Sequence, residues 1–80
     1  MIDTLHALAG PIDQWDKEPN RDITLVYFTD GRALKISGLE HARGELDNDW
    51  WNEQGEPRYG TWHLDDGNRI VDWTGWPQDA

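Results

Sequence analysis

The chain has no cysteine, a single methionine and a single phenylalanine among its 80 residues. Without a thiol it forms no disulfide, offers no thiolate to a metal and has no cysteine nucleophile, which sets the expectation of a reducing cytoplasm. Basic residues are scarce as well. Seven Lys and Arg stand against sixteen Asp and Glu, for a net charge of −9 at neutral pH and a pI near 4.4. A surface of that sign repels nucleic acid and anionic membranes at long range and attracts basic proteins, so neither nucleic acid nor membrane is expected as a direct partner. No apolar run approaches the ~20 residues that span a bilayer. The opening Met1-Ile2-Asp3-Thr4-Leu5 has neither the basic segment nor the apolar stretch of a signal peptide. The expectation is one acidic cytoplasmic domain over residues 1–80.

What the chain does have is tryptophan. Trp15, Trp50, Trp51, Trp62, Trp73 and Trp76 stand in a sequence whose mean hydropathy is only −0.89. Chains so polar often stay unfolded for want of apolar area to bury, and six large aromatic anchors argue for a folded domain instead. Residues 2–9 read as one short helix, capped by Asp3, with Leu5 and Leu8 on one face and Gly10-Pro11 as its stop. It is too short to persist alone and must dock on the rest of the chain. Residues 11–22, with Pro11 and Pro19, read as a surface loop pinned by Ile12 and Trp15.

Two Asp-Gly pairs then punctuate β-prone runs. Residues 23–29 and 32–37 flank Asp30-Gly31, and residues 59–65 and 68–73 flank Asp66-Gly67. Asp-Gly tolerates the positive φ angles of a two-residue hairpin turn. That turn pairs Tyr27 with Leu34 and Leu25 with Ile36, putting Ile23, Leu25, Tyr27, Leu34 and Ile36 on one face. A three-residue loop would pair Leu25 with Lys35 and mix the apolar pattern, so the shorter loop is preferred. In the second hairpin the same reasoning pairs Trp62 with Val71, with Trp62–Ile70 as the alternative. The fold expected is α+β: a short N-terminal helix plus an antiparallel sheet of four to five strands built from the two Asp-Gly hairpins. Leu39, Ala42 and Leu46 suggest a short helix over 39–46. Trp62 and Trp73 belong to the core, whereas Trp50, Trp51 and Trp76 have polar neighbours and are expected at the surface. The tail 74–80 reads as extended, with Trp76 against the sheet.

Chemistry-bearing patterns are few. Ser37 is the one serine and lies in a strand run without the sharp turn that exposes a nucleophile, so no catalytic residue is assigned and no enzyme is expected. Asp47-Asn48-Asp49 opens like a calcium loop, but Asn52 stands where glycine is needed and Arg58 where the bidentate glutamate belongs. His6, His41 and His63 have no ligand spacing; neither metal nor cofactor is expected. The conspicuous segment is Gly44–Pro57, which carries Glu45, Asp47, Asp49, Glu53 and Glu56 and no base. A solvated loop would need nothing more. A row of carboxylates is also what lysines and arginines that grip phosphates would meet, with Trp50 and Trp51 as desolvated anchors. The candidate partner-binding set is therefore Glu45, Asp47, Asp49, Trp50, Trp51, Glu53 and Glu56.

In size, charge, lack of cysteine and the acidic Glu45–Glu56 segment, the chain resembles small acidic inhibitors of nucleic-acid-processing machines: phage anti-CRISPR proteins, DNA mimics and immunity proteins for nucleases. The resemblance implies a non-catalytic viral inhibitor in the host bacterial cytoplasm. Its partner would be a basic nucleic-acid-binding protein such as a CRISPR surveillance complex of the Cascade type, which it would block from target DNA. The Phe28-Thr29-Asp30-Gly31 turn also resembles short bacterial β-domains built around Phe-x-Asp-Gly hairpins, which implies a housekeeping module. The competing function is a ligand-binding module that stacks exposed indoles of Trp50, Trp51 and Trp76 on a sugar.

Overall fold

The computed structural model describes residues 2–78. A helix, α1 (Ile2–Ala9), is followed by six strands: β1 (Ile12–Lys17), β2 (Ile23–Phe28), β3 (Ala33–Ser37), β4 (Glu45–Trp51), β5 (Pro57–Leu64) and β6 (Ile70–Gly75). Strand order in the sheet is chain order, and every neighbouring pair is antiparallel. The α+β class holds, but the sheet has six strands where four to five were expected. The additional strands are β1, in a segment whose sequence reads as loop, and β4, whose sequence divides between a helix and a loop. Neither shows a clean apolar alternation. β1 is an edge strand on which Ile12 alone is partly covered, charged as sheet edges commonly are. β4 buries Leu46, Asn48 and Trp50 and exposes Glu45, Asp47 and Asp49. Its period of two emerges once Asn48 counts as an inward residue.

The three tight hairpins close alike. Phe28 and Arg32, Asn52 and Glu56, and Asp65 and Arg69 are each joined by a backbone N–H to carbonyl bond of 2.9–3.0 Å, leaving three loop residues. The third of these is left-handed in every case: Gly31 at φ 96°, Gly55 at 76° and Asn68 at 58°. This is the common three-residue hairpin, a turn followed by one left-handed residue. The two-residue reading of both Asp-Gly turns is thereby corrected. A slip of one residue exchanges the faces of a strand. Leu25 stands opposite Lys35 and Val26 opposite Leu34, so Thr24, Val26 and Phe28 face inward with Leu34 and Ile36. Ile23, Leu25 and Tyr27 lie on the outer face. In the last hairpin Trp62 opposes Trp73, because the register shifts between His63 and Leu64 and leaves Val71 unpaired.

The inner face holds the core. Leu5 and Ala9 of α1 close over it with Ile2 beside them, while Leu8 is exposed, so the buried stripe is not the Leu5/Leu8 pair. The helix expected over 39–46 is reduced to a single 3-10 turn at Leu39–His41; Leu46 enters β4. Trp62 and Trp73 are buried as expected, with no hydrogen-bond partner for either indole N–H among the described residues. Trp50, expected at the surface, is 0% exposed. It stacks on Phe28 at 5.5 Å between ring centres and takes the edge of Trp76 at 5.0 Å. Its indole N–H donates to Asn48 Oδ1 at 2.6 Å. Gly60 makes room for this group: a Cβ there would lie 2.6 Å from the Trp76 carbonyl oxygen and 3.2 Å from Trp50 Nε1. Arg32 straps the same corner. Its guanidinium donates to Asp30 at 2.7 Å and to the Ala9 carbonyl at the end of α1, and its carbon lies 4.6 Å from the Phe28 ring centre. Of the tail, Thr74 and Gly75 finish β6 and Trp76 packs on the core; residues 79 and 80 lie outside the described residues.

Candidate protein-binding face

The register of the sheet determines which side chains share the outer face. One cross-strand row runs Tyr27, Ala33, Trp51, Pro57, and the next runs Asp16, Leu25, Lys35, Asp49, Tyr59. Then come Asp47, Thr61, Thr74 and, last, Glu45, His63, Asp72. The face is therefore graded, with apolar and aromatic groups at one end and carboxylates at the other. Along β4 the sequence Glu45, Asp47, Asp49, Trp51 occupies successive outward positions, about 6.8 Å apart.

Of the seven residues nominated from sequence, these four come together. Trp50 does not: it points into the core, and a change there acts on folding before it acts on binding. Its burial also removes the sugar platform of Trp50, Trp51 and Trp76, since the three indoles share no exposed surface. Glu53 and Glu56 lie beyond β4, in the turn to β5. Glu56 is engaged there, accepting from Asn52 Nδ2 at 3.0 Å and lying 3.7 Å from Arg58 Nη2. Asn52 Oδ1 in turn accepts the backbone N–H groups of Gln54 and Glu56. Glu53 remains exposed at the tip.

Neighbours on β5 tie two of the row's carboxylates. Thr61 Oγ1 donates to Asp47 Oδ1 at 2.8 Å, and His63 Nδ1 lies 3.7 Å from Glu45 Oε1. The Tyr59 phenol is pushed above its ordinary value, first by a hydrogen bond to the Asp47 carboxylate, then by lost hydration and by the charges of Asp47 and Asp49. The negative field of the row thus reaches an aromatic ring that is 59% exposed. Sequence reasoning missed Tyr59 and Tyr27 as surface groups. Tyr59 falls in a hairpin run whose face the sequence does not assign, and the two-residue loop puts Tyr27 on the face of Leu34 and Ile36, which the structure buries without it.

Two other features stand apart from this face or at its margin. Asp22, Glu40 and His41 bring one ligand atom each within 4.8 Å of one another, a grouping that no sequence spacing announced. Asp22 Oδ2 already accepts the Glu40 backbone N–H at 2.8 Å, and Glu40 lies 3.3 Å from Lys17 Nζ. Through Asp22 and Glu40 the grouping ties the β1–β2 loop to the turn after β3. At the β1–β2 end of the outer face, a depression of about 320 Å³ is lined by Gln14, Trp15, Asp16, Leu25 and Tyr27. No helix among the described residues is long and apolar enough to cross a membrane. No family model, curated protein or solved structure matches the chain.

Proposed function

We propose that the chain is a non-catalytic inhibitor that binds a basic, nucleic-acid-binding protein surface through the outer face of its sheet. The observation that carries the reading is the row Glu45, Asp47, Asp49 and Trp51 on one side of β4, held by pairing to β5 along its length and to β3 at Asp49 and Trp51. A strand in mid-sheet is a rigid scaffold, so the carboxylates need little ordering on binding. Standing in line about 6.8 Å apart, they can each meet a separate lysine or arginine of one basic surface. Charge steers the approach and Trp51, half-buried beside Asp49, supplies apolar contact. A CRISPR surveillance complex of the Cascade type is the partner class that the resemblance to small acidic phage inhibitors implies.

Capture from a bacterial lysate at low salt, with mass spectrometry of the eluate, identifies the partner. A competition between the protein and target DNA for that partner then tests occlusion. Mutual exclusion is the expected result. Simultaneous binding of DNA and protein would refute it, and recovery of metabolic enzymes alone would favour the housekeeping module.

A further inference from the structure

We infer that the depression at the β1–β2 end of the face is a receptor for one arginine side chain of the partner. The inference rests on the reading of this face as the surface for a basic protein, but it uses different strands. Gln14, Asp16, Leu25 and Tyr27 share the outer face there, while Trp15 stands opposite Val26 and its side chain therefore belongs to the other side of the sheet. Four chemistries converge. Asp16 is an exposed carboxylate able to accept two N–H groups of a guanidinium, and Gln14 adds an amide oxygen. Tyr27, 41% exposed, presents a ring to a flat cation. Leu25 gives a half-buried apolar floor for the methylene stem.

A volume of about 320 Å³ is at the small end for a drug-sized ligand and ample for one long side chain. Guanidinium suits it better than ammonium, because a planar fork pairs with Asp16 and stacks on Tyr27 at once. Lys35 stands opposite Leu25 on the outer face and faces Asp49 across the next strand pair. Its positive charge works against a cation there, so binding depends on direct contact with Asp16 and Tyr27. The depression spans β1 and β2, two to three strands or about 10–14 Å from the acidic row on β4, so a single basic surface can engage both.

The test is an NMR titration of the intact protein with N-acetyl-arginine amide and, separately, with a blocked octa-arginine peptide. Arginine amide is expected to shift the amide signals of Gln14, Asp16, Leu25 and Tyr27 and to saturate. Asp16→Asn should weaken this roughly tenfold and Tyr27→Ala roughly threefold, with N-acetyl-lysine amide several-fold weaker than arginine. Folding of each variant is checked by the dispersion of the same spectra, and Tyr27→Phe keeps the ring and should bind like the parent. The combined reversal of Glu45, Asp47 and Asp49 to Lys should abolish the octa-arginine shifts along β4 and leave those of arginine amide at β1–β2 in place. Arginine amide shifts that are absent, or unchanged in Asp16→Asn and Tyr27→Ala, overturn the pocket and leave the acidic row standing. Octa-arginine that never perturbs β4 in the parent, with the β1–β2 shifts intact, overturns the face reading and leaves the pocket.

Discussion

Single residues divide into those that hold the fold and those that present the face, and adjacent positions can fall on opposite sides of that line. Trp50 and Trp51 are the clearest case. Trp50→Ala removes a fully buried indole from its stack on Phe28 and is expected to cost about 3–5 kcal/mol, close to unfolding a domain this small. Trp51→Ala, half-buried on the outer face, should cost about 1–2 kcal/mol and lower partner affinity while the circular dichroism spectrum is preserved. Equal destabilisation of the two variants in urea would contradict the placement. The loop residues give a second pair. A Cβ at Gly31 would make only ordinary contacts with Glu53, so Gly31→Ala should cost about 1–2 kcal/mol for the left-handed backbone alone. Asn68→Gly, at the equivalent position, should leave stability unchanged or raise it by less than about 1 kcal/mol. A shift of the two urea midpoints in the same direction would show that these positions are not equivalent.

At the scale of the strand, β4 has two working sides. Its inward residues anchor the core, and its outward carboxylates stand in line with like charges two positions apart. The Tyr59 phenol reports on that line. Its raised value means that the neutral phenol is favoured in the folded state. The corresponding stability is fully present below the ordinary tyrosine range, near 10, and is lost as pH rises through the higher folded value. Asp47→Asn should lower the Tyr59 midpoint in an ultraviolet titration towards the ordinary range, and a bound basic partner should lower it likewise by neutralising the row. A midpoint unaffected by Asp47→Asn would mean that the carboxylate does not reach the ring.

This strand also shows what the sequence made legible and what it did not. The acidic segment and its charge were plain, as were α1 and the positions of both Asp-Gly hairpins. The face was not, because Asn48 breaks the apolar alternation that marks a half-buried strand. Its amide is tolerated inside since it accepts from Trp50 and donates to Leu46, with a bare glycine across from it. The first hairpin misled for another reason. Thr29-Asp30-Gly31 carries its glycine at the third loop position, and the dipeptide Asp-Gly alone does not distinguish that loop from a two-residue turn. β1 was invisible as a strand because an edge needs only one partner and little apolar surface.

On the scale of the whole molecule, sixteen acids against seven bases make self-repulsion a standing cost that the proposed basic partner would relieve. Salt should therefore act in opposite directions on folding and on binding. Raising ionic strength from about 0.01 M to 0.15 M contracts the screening length from about 30 Å to 8 Å, which should raise Tm while weakening the complex. A Tm that falls with salt would point to attractive ion pairs, not repulsion, as the dominant surface term. In the proposed reading the β4 face, and not net charge in general, makes the contact. The most direct measurement compares partner affinity for two charge reversals of equal size: Glu45, Asp47 and Asp49 to Lys, and Asp3, Asp13 and Asp66 to Lys, all six being exposed acids. The first should lose at least about 100-fold and the second no more than a few-fold. Equal losses in the two variants would contradict the claim.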